Sequence, residues 1–260
     1  MRGPKSNQVS SFTIIKGALI DETYRAFETW DFVESMPRNL ASFKATNPIG
    51  AQSANWLRDV AFVLSRRFDP FGRDRPLVEL AKGGCEREIW VPILLWHMTR
   101  NEFLVRDFLI NWLYPAHARG VYQITADELI PYLKALPQKG GTSKARWSDT
   151  TLARVSAGLL RIGVDFGLLA GRQRRRFAHY HLPDESFGYL LHAMASEEHN
   201  AHRIVHSTDW RMYLMAPSDV ERELLRLHQY QKLSYEVAGS LAQLQLPCES
   251  AAQYARGLVT

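Results

Sequence analysis

Nine cationic side chains crowd into residues 138–183: Lys139, Lys144, Arg146, Arg154, Arg161, Arg172, Arg174, Arg175 and Arg176. Only Asp149 and Asp165 oppose them, so this window carries +7 while the whole 260-residue chain carries +5. Ammonium and guanidinium groups neutralise phosphates, and arginine also bonds guanine edges through two donors at once. That is the chemistry of a nucleic-acid surface. A merely solvated basic face has the same composition, so the placement of the charges decides between the two.

The local patterns give that placement. Ser148-Asp149 is an N-cap signal, and TTLARVSAGLLRIGVDFG continues as a helix that Gly163 or Gly167 ends. At about 100° per residue, Leu152, Val155, Leu159, Ile162 and Phe166 share one side, the core face. Thr150, Arg154, Ala157 and Arg161 fall opposite on a stripe that reads as free of acids, with Gly158 beside it. Small residues would let such a helix approach a groove floor.

Leu168-Leu169, the polar segment 170–176 and the alternating FAHYHLP predict a short β-hairpin, with Arg172, Arg174, Arg175 and Arg176 about its turn. Upstream, Thr125-Ala-Asp-Glu128 is a capping box that opens the helix LIPYLKAL. The loop PQKGGTSKARW follows and carries Lys139, Lys144 and Arg146. Helix, loop, helix, hairpin is the order of a winged helix-turn-helix. The expected ligand is double-stranded DNA, held mainly through phosphates, and the candidate contacts are those nine cations and Thr150. Winged helices also bind proteins, so a docking subunit is the alternative.

Enzyme signatures are missing. The chain has no G-x-x-x-x-G-K-[ST], G-x-G-x-x-G, G-x-S-x-G or H-E-x-x-H. Asp165-Phe166-Gly167 spells the kinase magnesium triplet without its companion motifs, and reads as a helix end. His179, His181, His192, His199, His202 and His206 cluster in sequence. No cysteine lies near them and their spacing fits no zinc module, so neither metal, cofactor nor catalytic residue is expected.

The remainder is ordinary for a globular protein, with 46% hydrophobic and 23% charged residues. Its periodicity predicts a mostly α protein in three parts: a helical bundle over 1–120, the winged helix-turn-helix over 121–184 and a helical region over 185–260. A first helix over 21–33 should be stopped by Pro37, and Gly83-Gly84 should interrupt a helix within 77–99. A second capping box, Ser218-Asp-Val-Glu221, should open a late helix, and 232–239 could be a strand. Trp90–Met98 is the most apolar stretch but has half the length of a membrane span, and Arg100, Glu102 and Arg106 follow it. The first twenty residues make a poor signal peptide. Cys85 and Cys248 lie too far apart for a disulfide framework, which favours a reducing compartment, the cytoplasm.

Three segments also resemble a known family. They are SFTIIKGALIDETYRAFE, PILLWHMTRNEFLVRDFLINWL with Leu104, Asp107 and Phe108, and WSDTTLARVSAGLLRIGVDFGLL. Over about residues 11–195 the chain is similar to BrxA, a component of bacteriophage-exclusion (BREX) defence systems whose members once carried an inner-membrane label. The resemblance implies a mostly helical, winged-helix-containing, non-enzymatic DNA-binding protein that works beside other BREX proteins. It supplies no active-site residues.

Overall fold

The computed structural model describes residues 9–139, 147–239 and 241–259. The chain opens with α1 (Ser11–Ile15), α2 (Ile20–Glu28), α3 (Met36–Thr46), α4 (Ala54–Arg67), α5 (Arg75–Lys82) and α6 (Arg87–Met98). Pro37 does not simply stop a helix: it lies in the first turn of α3, where a missing N–H costs nothing. The break at Gly83-Gly84 is present between α5 and α6.

Next comes a continuous helical run made of α7 (Phe103–Phe108), a π turn (Leu109–Leu113) and α8 (Tyr114–Ala118). Pro115 has no N–H to return to the Asn111 carbonyl, and the wider turn before it absorbs the gap. A 3₁₀ turn at Ala126–Leu129 leads into α9 (Ile130–Lys134), and α10 (Asp149–Asp165) follows. The hairpin β1 (Leu169–Ala170) and β2 (Arg176–Phe177) comes next. The remainder is α11 (Asp184–Ala195), α12 (Ala201–Val205), α13 (Pro217–Gln229), the hairpin β3 (Ser234–Ala238) and β4 (Leu241–Gln245), and α14 (Ala251–Gly257).

The chain is mostly helical, with small two-stranded sheets. The late helix starts two residues earlier than the expected Ser218–Glu221 capping box places it, and Ala216 at its N-cap has no side-chain acceptor, so only half of a box forms. Pro217 takes the first turn of α13, and Asp219 accepts the Ala216 N–H at 2.8 Å. Buried side chains from Val9 to Ala255 form one contiguous core cluster, with Trp30, Trp90, Phe108, Leu159 and Trp210 inside it.

Polar networks run through this core. Arg67 is fully buried. Its Nε donates to Glu102 Oε1 at 3.1 Å, its Nη1 to the Ala18 carbonyl at 2.9 Å, and its Nη2 to the Thr13 and Gly17 carbonyls, each at 2.9 Å. One guanidinium thereby pins the α1–α2 turn, where Gly17 has φ +84°, a left-handed value that suits glycine.

The second network is a chain of Asp74, His97 and Tyr189, all buried. His97 Nδ1 lies 2.7 Å from Asp74 Oδ1, and its Nε2 lies 2.7 Å from the Tyr189 hydroxyl. Burial holds His97 below its ordinary pKa of 6.5, although Asp74 pulls it the other way. The neutral ring then donates from Nδ1 to Asp74 and accepts from Tyr189 at Nε2. Burial pushes the Asp74 carboxyl up, but bonds from His97 and Arg73 outweigh this and hold it below 3.8. Asp209, clamped by Arg100 and Arg106, is likewise held down against its burial.

A lowered folded-state pKa means that acid favours the unfolded chain. Stability should therefore be complete above pH 6.5, start to fall below it as His97 and His192, which burial also holds below 6.5, are protonated on unfolding, and fall further below pH 3.8 as the two aspartates follow. Denaturant midpoints measured against pH should show the first limb at up to about 1.4 kcal/mol per pH unit for each of these two protons. An unchanged midpoint between pH 7 and pH 5 would refute the neutral His97. Both cysteines are free, and burial pushes the Cys85 thiol up to about 11.

Candidate nucleic-acid interface

The α10 helix forms as its sequence indicates. Ser148 Oγ accepts the Thr151 N–H at 3.3 Å, and Gly167, at φ +72°, ends the helix. Leu152, Val155, Leu159, Ile162 and Phe166 are buried, while Thr150, Arg154, Ala157 and Arg161 are exposed. Arg154 has no carboxylate partner among the described residues. Arg161 Nε lies 3.9 Å from Asp165 Oδ2, one turn on, so the stripe is not free of acids at its C-terminal end. Burial pushes the Asp165 carboxyl up, against the Ala18 N–H that it accepts at 3.3 Å and the charge of Arg161.

Gly158 has a different role from the one its smallness suggested. It is buried against α1, and a β-carbon there would stand 2.8 Å from the Ile14 carbonyl oxygen. The close approach is helix to helix, not helix to groove. Gly158→Ala should therefore push α1 off α10 and cost about 1–3 kcal/mol, read as a lower denaturant midpoint.

The hairpin carries the other cations. Leu169 pairs with Phe177 and Ala170 with Arg176. Ile124 adds a one-residue third strand through reciprocal backbone bonds with Arg175 of 2.8 and 2.9 Å. At Gly171 φ is +106°, and a β-carbon would meet the Arg174 carbonyl oxygen at 2.5 Å, so the turn requires glycine.

Arg172, Arg174 and Arg176 are exposed and face no carboxylate among the described residues. Arg175 is half-buried rather than outward. Its Nε is shielded without a partner, and desolvation lowers its pKa. Tyr122, 74% exposed, lies beside the hairpin and accepts a 3.5 Å bond from Arg176 Nη1. It was not among the expected contacts, though a tyrosine between Val121 and Gln123, just after Gly120, was visible in the sequence.

Lys144 and Arg146 lie outside the described residues, as does the side chain of Lys139, whose backbone closes the 3₁₀ turn Leu136–Lys139. Tyr132 ties α9 to α7 through its hydroxyl, 2.5 Å from Asp107 Oδ2. The histidines disperse. His179 and His181 line a cleft of about 330 Å³ with His117, Asp219 and Glu223. His202 and His206 stack at 4.0 Å, and His192 is buried against Tyr254. Among the described residues no group of three or more His, Cys, Asp or Glu is placed to hold a metal ion, and no helix is long and apolar enough to cross a membrane.

A mostly helical protein with exposed arginines gathered on one helix and the hairpin beyond it, most of them without a carboxylate partner among the described residues, is thus the class that fold and surface define. The BrxA family model matches residues 11–193, well over half of the chain. The chain belongs to the BrxA family and is thereby associated with BREX defence. No curated protein matches it.

Proposed function

We propose that this chain is a non-enzymatic, cytoplasmic component of a BREX system that binds duplex DNA through a winged helix over residues 121–184. In this reading α10 is the recognition helix and the β1–β2 turn is the wing. The order of elements supports it: Ile124 as the first strand, α9, α10, then the two hairpin strands. The observation that carries the proposal is the set of exposed arginines without carboxylate partners among the described residues, Arg154, Arg172, Arg174 and Arg176, on the two elements a winged helix turns toward DNA. Cations left unpaired by their own chain are free to replace counterions on phosphates.

Affinity should be tolerant of sequence and steep in salt. Gel shifts with unrelated duplexes at several salt concentrations test this. The expected result is binding to all of them, with log K falling linearly against log salt. Absence of duplex binding at low salt would leave the docking-subunit reading in its place.

A further inference from the structure

Exposed rings lead away from the α10 face. Arg161, Lys16 and Trp56 line one cleft of about 450 Å³, with Arg87 and the first turn of α2 in its walls. Lys16 Nζ stands 5.3 Å from the Trp56 ring centroid and 5.0 Å from that of Phe12. Phe12 meets Phe62 edge to face at 5.5 Å, and the Arg66 guanidinium lies over Phe62 at 5.8 Å. Phe12 is 37% exposed and Phe62 47%. Together they make an unbroken aromatic and cationic path from α10, across α1, onto α4.

The charges in the cleft largely cancel. Lys16 meets Asp59 at 2.5 Å, Arg87 meets Asp21 at 3.2 Å, Arg161 meets Asp165 at 3.9 Å, and Glu22 lines the same cleft. A phosphate gains little there, whereas a flat ring gains stacking area. Bases in a duplex already stack on one another and hide their faces; unpaired bases do not. Continuity with the α10 stripe says which polymer would bring such rings.

We propose that Phe12, Trp56 and Phe62, with Lys16 and Arg66, form a stacking platform for single-stranded DNA that extends from a duplex held on α10 and the hairpin. The preferred ligand is then a duplex with an unpaired overhang. This rests on the duplex-binding reading above for its orientation, but not for the stacking itself.

Fluorescence anisotropy with the full chain tests it, using a blunt duplex, the same duplex with an oligothymidine overhang, and oligothymidine alone. The overhang should tighten binding about tenfold, the effect of one well-stacked base. That gain should fall less with salt than binding of the blunt duplex, because stacking carries no charge and Lys16 is already paired with Asp59. The double variant Phe12→Ala/Phe62→Ala should abolish the gain and leave the blunt duplex unchanged. Phe62→Leu, which keeps apolar volume without a flat face, should lose part of the gain with an unaltered denaturant midpoint. Equal binding of blunt and overhung duplexes overturns the proposal and leaves the patch to a protein partner. A gain that survives the double variant overturns it too. Binding of oligothymidine without any binding of blunt duplex would remove the duplex reading and keep the platform.

Discussion

Alanine at Arg172, Arg174 and Arg176 together is expected to weaken binding to every duplex alike and to make the salt slope shallower by roughly 2–3 units, at about 0.9 for each phosphate no longer neutralised. All three are exposed and unpaired by carboxylates among the described residues, so folding stability should change by no more than about 0.5 kcal/mol each. Arg175 belongs in a separate variant, because its backbone closes the small sheet and its side chain is half-buried. Arg154→Ala should weaken binding as well. Where Arg154 reaches a base edge, it should also flatten sequence preference, by about 1–3 kcal/mol. Arg161→Ala should do less, since Asp165 already occupies part of its charge. Thr150→Glu should be poorly tolerated, because it sets a carboxylate against phosphates. The measurement is binding at several salt concentrations for each variant. An unchanged slope in both the hairpin and helix variants would transfer the function to protein docking.

Arg67→Met should be the most damaging single change to the fold, at about 3–5 kcal/mol. The guanidinium is fully buried, so its removal strands the Glu102 carboxylate together with the carbonyls of Thr13, Gly17 and Ala18. That cost is a large share of the roughly 5–15 kcal/mol typical of a domain's stability. Replacing both partners, Arg67→Met with Glu102→Met, should recover part of it, because no uncompensated charge is left in the core. Denaturant unfolding of the single and double variants separates the two contributions. A double variant no better than the single one would show that the loss comes from the carbonyls and the α1–α2 turn rather than from the carboxylate.

Much of the proposed DNA-binding region could be read from short-range signals. Ser148 announces the start of α10, Gly167 its end, and the 3.6-residue period sorts Leu152 and Val155 inward and Arg154 outward. The hairpin follows from Leu168-Leu169 and the arginine-rich turn. The errors all concern what touches what. Nothing local tells whether Gly158 faces a DNA groove or the Ile14 carbonyl, because that contact joins residues far apart in the chain. The Arg161–Asp165 pair was legible in its four-residue spacing, which puts Asp165 one turn beyond Arg161 on the same outward stripe, past the point where the stripe was read as ending. Pro37 and Pro217 were harder, since a proline both ends helices and begins them, and only the residues that pack afterwards decide. The path from Lys16 to Phe62 left no linear motif, because it joins two helices that meet only in the fold.

The seam between Gly158 and Ile14 bears on portability. The α10 helix is propped from behind by α1. Residues 121–184 cut out alone would bare that seam and lose the support. A graft of α10 and its hairpin onto another scaffold would have to bring residues 11–18 with it. The same arrangement offers a remote handle. Anything that levers α1 outward would tilt the arginine stripe without touching a single arginine, so an agent that disarms the surface need not compete with the surface's ligand for it.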